Sequence, residues 1–563
     1  MNFRRRSGKT RPHHPGAHQN MSKSSAATTT PPHSLQGSRS SRGLRPLALA
    51  IGLLAGAPAA LAAPSASDIE KDIARAMDTF QVPGMAVAVV HQGKTWYSGG
   101  TGIAEMNTAN KVDDDTLFQI ASVTKAFTAA ALALLVDEGK VEWDAPVIDY
   151  LPDFRMYDPW VTREFTVRDL LTHRSGLPLG AGDLLLVPQT NTTRDEVVRA
   201  MRHLKPSSSF RSEFAYDNLL FIIAGEVIAA ASGMPYEDFV ERELLAPIGM
   251  GDCTAGLTRV PASASKATPH LLVDGEWQIT DSLANPLIAP TGGINCSAGG
   301  MALWMQFLLA DGKTRNGEQL VSREQMKELF NPVTLTQSRS YLVEHAGAFL
   351  TAYALGWNVS TFYGQPVYTH GGGLWGMTTY IALLPEQDLA VFASNNLMSS
   401  APLAVVNDIV DSFLAETSNE SGKDWVAIAH DAANTRVADA DSEVAQAAAE
   451  RDSDSTPRLP LKDYTGTYND PWYGNIEISL NKKGQLWFTS ERSATLEGPL
   501  EHFQYDTFIA RWTDTTLNAD AYVSFELSPE GGVEGIQMKA VSPATDFSFD
   551  FHDLNLRYVP EEG

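Results

Sequence analysis

The sequence predicts an α/β fold followed by an all-β unit, and three observations carry that reading. Strand-like runs stand near the start ("GMAVAVVHQGKTWYSGGTG", residues 84–102) and return late ("YTHGGGLWGMTTYIALL", residues 368–384, and "LAVFASNN", residues 389–396). Between them, from Phe165 to about Ala310, apolar residues recur mostly with a helical period. Beyond Pro457 nearly every run alternates with a period of two. An antiparallel sheet built from both ends of residues 63–417, flanked by helices and interrupted by a helical insertion, satisfies the first two observations. The short strands of residues 459–560 suggest a small barrel or sandwich.

The elements follow in chain order. Residues 1–62 hold nine Lys/Arg and no Asp/Glu, and the apolar run "PLALAIGLLAGAPAALA" (46–62) follows Arg39, Arg42 and Arg45. Ending in Ala60-Leu61-Ala62, this is the pattern of a signal peptide with a long n-region, starting at Met1 or Met21 and cleaved before Ala63. At 17 residues the run is short for a spanning helix, so no transmembrane domain is expected after cleavage. "SDIEKDIARAMDTF" (67–80) reads as a helix, and Gln92-Gly93 as the turn of a hairpin. From Ala126 to Val136 no charged residue appears, which marks a core helix. "NLLFIIAGEVIAAASG" and "GGMALWMQFLLADG" are helical runs whose terminal glycines fit C-caps. "PEQD" (385–388) turns one late strand into the next, and "PLAVVNDIVDSFLAE" (402–416) is a closing amphipathic helix. Residues 418–458 are acidic and rich in Ala and Ser, a linker with room for one helical stretch. In the last unit "NIEISLNKKGQLWFTS" is a hairpin about Lys483-Gly484, and Phe547, Phe549 and Phe551 alternate with polar neighbours as a strand would.

Composition excludes several classes. The net charge is −24, and removing nine Lys/Arg with the signal leaves about −33, so neither nucleic acid nor anionic lipid is an expected partner. Cys253 and Cys296 are the only cysteines, a candidate disulfide in an oxidising compartment or two buried thiols. The histidines form no metal-ligand spacing, and no metal or cofactor is implied.

The chemistry starts at the core helix. Ser122 lies three residues before Lys125, so the two share a face in the first turn. A lysine at the mouth of an apolar helix should have a lowered pKa, and a serine beside it is a candidate nucleophile. Two further groups follow: Tyr216 with Asn218, a candidate acid or base beside an orienting amide, and His370-Gly371-Gly372-Gly373. Glycines at a strand start let substrate approach backbone N–H groups that could hold an oxyanion.

Ser122-x-x-Lys125, Tyr216-x-Asn218 and His370-x-Gly372 in that order, with "TVRDLLTHRSGLP" (166–178) and "PIGMGD", resemble the motifs of the β-lactamase-related, penicillin-recognising serine hydrolases (class C β-lactamases, DD-peptidases, family VIII esterases and D-aminopeptidases; peptidase family S12) over roughly Ala66 to Glu416. The tail from "LKDYTGTYNDPWYGNIEI" is similar to the lipocalin-like domain appended to some of them. The resemblance implies an acyl-enzyme on Ser122, proton transfer shared by Lys125 and Tyr216, an oxyanion site at the N–H groups of Ser122 and Gly373, Asn218 touching Lys125 or the acyl group, and a structural role for His173. Lys-Thr-Gly is the usual third motif, and His370-Gly371 lacks its charge and hydroxyl. The expected substrates are therefore esters, amides or short peptides with a D-configured N-terminus. Alternatives are a β-lactamase or DD-peptidase, or a non-catalytic binding protein on the same fold. His370 is expected to line the substrate site and to favour anionic substrates as it protonates. The product is expected in the periplasm or secreted, with homo-oligomerisation left open, and the last domain is expected to shape access or assembly rather than chemistry.

Overall fold

The computed structural model describes residues 63–560, apart from positions 274, 283, 337–340, 416–417 and 419–420. The signal peptide expected at residues 1–62 falls outside the described residues.

Eight strands form the main sheet: β1 (Gly84–His91), β2 (Lys94–Gly102), β3 (Thr334–Leu335), β4 (Ala352–Tyr353), β5 (Asn358–Phe362), β6 (Gln365–Leu374), β7 (Met377–Leu384) and β8 (Leu389–Asn395). Their order is β2-β1-β8-β7-β6-β5-β4-β3, antiparallel throughout. The first strand lies beside the last, with Met85 opposite Asn395, so the sheet is closed from both ends of the sequence. Gln92 (φ 51°) and Gly93 (φ 69°) are both left-handed, the conformation that matches a two-residue hairpin loop to the strand twist. Gly84 to Val90 are all buried because the sheet is covered on both faces. Ala86, Ala88 and Val90 face the core that holds the helices Thr124–Asp137 and Ala298–Leu309; Met85, Val87 and Val89 face the helices Ala66–Phe80 and Ala401–Leu414. Helices fill the insertion between β2 and β3, broken by a hairpin of His270–Val273 and Glu276–Ile279.

Residues Thr124 to Leu135 of the helix Thr124–Asp137 are all buried, and Phe127 stacks on Trp304 at 3.9 Å between ring centroids. This helix, uncharged from Ala126 to Val136, is the rod on which the site is mounted. Within residues 418–458 lies a helix, Trp425–Glu450, that buries Trp425, Val426 and Ala429 in its first turns, and Ala440 further along. Among the described residues no single helix is long and apolar enough to cross a membrane. Cys253 and Cys296 are joined as a disulfide.

The C-terminal strands close into an eight-stranded antiparallel barrel: β9 (Gly466–Asp470), β10 (Gly474–Leu480), β11 (Leu486–Ser490), β12 (Glu497–Gln504), β13 (Thr507–Ala510), β14 (Ala521–Leu527), β15 (Val533–Ala540) and β16 (Leu556–Val559), with β16 returning to β9. Tyr468, Ile476, Phe488, Val523, Phe525 and Ile536 are buried members of one apolar cluster. The alternation of Phe547, Phe549 and Phe551 does not make a strand. Residues 541–550 are turns and irregular backbone, followed by a 3₁₀ turn at Phe551–Asp553. Phe549 and Phe551 are buried, but the polar residues between the rings bond to Gly182, Asp183 and Leu184 of the helical insertion rather than to a neighbouring strand.

Candidate active site

The short turn Ala121–Val123 places Ser122 immediately before the buried helix, half-buried and reachable, while Lys125 is 0% exposed. The lysine Nζ lies 3.0 Å from Ser122 Oγ, 2.8 Å from Asn218 Oδ1 and 3.0 Å from the backbone carbonyl of Thr291. Burial holds its pKa down to about 7, against the opposing pull of the Asp183 and Asp217 carboxyls. The geometry then fixes where a neutral amine points. Asn218 Oδ1 and Thr291 O only accept, so they take the two amine hydrogens and leave the lone pair for the Ser122 hydroxyl.

Asn218 is itself oriented on both sides. Its Oδ1 also accepts from Thr291 Oγ1 (3.0 Å), and its Nδ2 donates to Asp183 Oδ2 (2.8 Å). Asp183 is fully buried, and burial pushes its pKa up to about 7 against the donors Asn218 and Ser548 and the charge of Lys125. Its Oδ1 has no partner among the described residues. An isolated acid in the apolar run "AGDLLLV" was the signal for this residue, and sequence reading passed over it.

Tyr216 sits with its ring 4.8 Å from Lys125 Nζ. Its pKa is raised, first by burial and then by the Asp183 carboxylate, with a hydrogen bond from Ser122 acting in the opposite sense. A tyrosine near a cation is expected to lose its proton more easily; here desolvation wins and the phenol stays neutral. His173, in left-handed backbone (φ 51°), pins this segment: its carbonyl accepts from Ala215 N (2.9 Å) and its Nδ1 from Asp217 N (3.1 Å). The preceding motif supports it, with Asp169 buried and paired to Arg174 and Arg211.

His370 departs from expectation. It is 2% exposed, its Nδ1 lies 2.7 Å from the Gly371 carbonyl and its Nε2 2.9 Å from Tyr353 Oη. A carbonyl only accepts, so Nδ1 carries a hydrogen, and in the neutral ring Nε2 accepts from the tyrosine hydroxyl. Burial and the nearby Lys125 bring its pKa down to about 3. The imidazole therefore does not gain charge between pH 5.5 and 8, contrary to the expected switch toward anionic substrates. Gly372 explains the motif better. A Cβ there would fall 2.6 Å from Ile120 O and 3.0 Å from Ser122 N, so only glycine lets β6 run against the turn that carries Ser122. At Gly373 an added Cβ would meet nothing closer than Met398 Cε at 3.9 Å.

The structure thus brings Ser122, Lys125, Tyr216, Asn218 and the 370–373 strand together. Cys253 and Cys296 lie apart from this cluster, beneath the helix Ala298–Leu309. Sequence reading missed Asp183, Thr291 and Tyr353, and also a loop of the barrel. Phe547 packs edge-on to Tyr216 (5.9 Å) and over Gly180, Ser548 Oγ donates to Asp183 Oδ2 (2.9 Å), and Phe549 meets Trp375 (5.8 Å). Among the described residues no group of three or more His, Cys, Asp or Glu could hold a metal ion.

A fold with a serine–lysine pair at a helix mouth beneath a sheet edge defines a class, and the β-lactamase family profile matches residues 69–415. The chain belongs to the β-lactamase family and is a serine hydrolase. Residues 450–558 match a domain of unknown function (DUF3471). An unguisins hydrolase, ungD', of Aspergillus campestris (strain IBT 28561) is 28% identical over 496 residues, spanning 83% of this chain and 88% of its own. An octameric penicillin-binding protein homologue from Pyrococcus abyssi superimposes with a TM-score of 0.56 at 20% identity, covering 87% of this chain and 99% of its own. A class C β-lactamase from Rhodobacter sphaeroides gives a TM-score of 0.51 at 22% identity, over 62% and 98%. The two solved structures share the fold.

Proposed function

We propose that the chain is an exported hydrolase that cleaves uncharged esters or amides, including short peptides, through an acyl-enzyme on Ser122. The single observation that carries this reading is the fully buried Lys125, with a pKa near 7 and its lone pair aimed at Ser122 Oγ. Neutral Lys125 takes the hydroxyl proton as Oγ bonds to the substrate carbonyl carbon. The bond to the alcohol or amine then breaks, and the leaving group takes a proton from the neutral Tyr216 phenol, which Lys125 replenishes. Water repeats the sequence in reverse and releases the acid. The N–H groups of Ser122 and Gly373 are the candidate oxyanion donors.

A neutral His370 in place of the usual lysine supports uncharged substrates, because the third motif offers no permanent cation to a carboxylate. The Aspergillus relative, named a hydrolase of unguisins, aligns across both domains and supports hydrolysis as the shared chemistry. The apolar run before Ala63 and the Cys253–Cys296 disulfide support export to an oxidising compartment. The test is kcat/KM for p-nitrophenyl butyrate, D-alanine p-nitroanilide and nitrocefin at pH 5.5 and 8. The neutral ester or the amide should exceed nitrocefin at both values, and efficient nitrocefin turnover at pH 8 would favour a β-lactamase instead.

A further inference from the structure

The barrel reaches the reacting serine through an unbroken line of hydrogen bonds. Ser548 Oγ donates to Asp183 Oδ2 (2.9 Å), Asn218 Nδ2 donates to the same oxygen (2.8 Å), Asn218 Oδ1 accepts from Lys125 Nζ (2.8 Å), and Nζ meets Ser122 Oγ (3.0 Å). The backbone of Asp183 is held from the same side: the carboxylate of Asp550 accepts from Gly182 N (2.6 Å) and Leu184 N (2.9 Å), the amides on either side of it. Ser548 and Asp550 are buried and belong to the loop that precedes the last barrel strand.

The orientation of one amide depends on this line. An Asn218 turned over would present its NH₂ to Lys125 and its oxygen to Asp183. The first would force the lysine lone pair away from Ser122, and the second would set oxygen against a carboxylate. Asp183 holds the productive orientation only while it remains an acceptor at that oxygen, and the Ser548 hydroxyl is the donor that favours this form.

We propose that Ser548 and Asp550 of the barrel are positioning residues for the hydrolytic reaction, holding Asp183 so that Asn218 presents its carbonyl oxygen to Lys125 and the lysine lone pair is aimed at Ser122. The inference rests on the reading of Ser122 and Lys125 given above. It assigns the appended domain a part in catalysis, beyond access or assembly. The charged and titratable groups facing Lys125 are Asp183, Asp217, Tyr216, His173 and His370; those facing Asp183 are Lys125, Tyr216, Asp217, Asp546 and Asp550. Loss of the Ser548 donor makes Asp183 easier to protonate. Lys125 then loses part of its counter-charge, and its proton leaves at lower pH.

The test uses the full chain with p-nitrophenyl butyrate. Ser548→Ala should lower kcat about tenfold or more with KM within about twofold, and shift the midpoint of the kcat/KM profile to lower pH by about half a unit. Ser548→Thr, which restores the hydroxyl, should recover both. Asp183→Asn alters the same line from the other side of the Ser548 hydrogen bond, leaving the barrel sequence intact, and should shift the midpoint further in the same direction. A Ser548→Ala enzyme with normal kcat and an unmoved midpoint would overturn the proposal, as would a tenfold loss that Thr fails to restore in a folded protein. Ser122→Ala keeps the two claims apart: if it stays active the reading of the site fails, and if it is dead while Ser548→Ala is normal only the inference fails.

Discussion

Lys125 is fully buried and has no carboxylate among its three hydrogen-bond partners, and that combination lowers its pKa into the range where the site would work. Its folded pKa is near 7, so the amine is protonated below that value and free above it. With the amine as base, kcat/KM for a neutral ester should rise with pH through about 7 and level off; a profile flat from pH 5 to 9 would contradict the assignment. Lys125→Ala should leave a folded protein slowed by roughly 10²–10⁴-fold, measured in the same assay. His370 carries the opposite expectation. Because the ring stays neutral, the ratio of kcat/KM for an anionic and a neutral substrate should not change between pH 5.5 and 8 through this residue. Much at this scale was legible in the sequence. Ser122 and Lys125 share a turn, and Tyr216 and Asn218 share a three-residue motif, so local spacing exposes them. Thr291, Tyr353 and Ser548 act from distant segments, and no local pattern marks them.

The strand β6 and the turn holding Ser122 touch through glycine, and the two neighbouring positions offer a controlled comparison. Gly372→Ala must push the Ile120 carbonyl and the Ser122 amide, so it should abolish most activity and lower stability. Gly373→Ala meets open space and should keep the fold, as thermal melting will show. Sequence reading assigned these glycines to substrate approach, and the closer constraint is the approach of one backbone to another. The disulfide closes a separation of 43 residues, and its loss in a Cys253→Ser, Cys296→Ser double variant should cost about 2–4 kcal/mol in chemical denaturation. Period-two alternation identified the hairpin of barrel strands β10 and β11 because each has one face in the apolar core. The same pattern misled at Phe547 to Phe551. There Phe549 and Phe551 enter one apolar cluster, Phe547 stays part-exposed against Tyr216, and the polar residues between them bond to Gly182, Asp183 and Leu184, a tertiary arrangement with the same spacing as a strand.

At the scale of the molecule, the apolar cluster that contains Phe127 and Leu220 continues into Tyr468 and Phe488 of the barrel. The bonds of Arg492 to Glu196, of Ser493 to the Gln189 carbonyl and of Asp550 to Gly182 and Leu184 lie along the same boundary. Differential scanning calorimetry should accordingly show one cooperative transition for the described chain, and two well-separated transitions would mean that the barrel melts on its own. The sequence marks the barrel as a separate strand-rich unit, since composition shifts at about residue 458, but a loop meeting a site more than three hundred residues away leaves no trace in composition. The expectations about activity all depend on Ser122 as the attacking atom. The most direct measurement is intact-mass and peptide-mass analysis after incubation of the full-length enzyme and Ser122→Ala with a fluorophosphonate at pH 8. One adduct on the peptide that carries Ser122, absent from the variant, is the predicted result; an adduct on another residue, or equal labelling of Ser122→Ala, would contradict it.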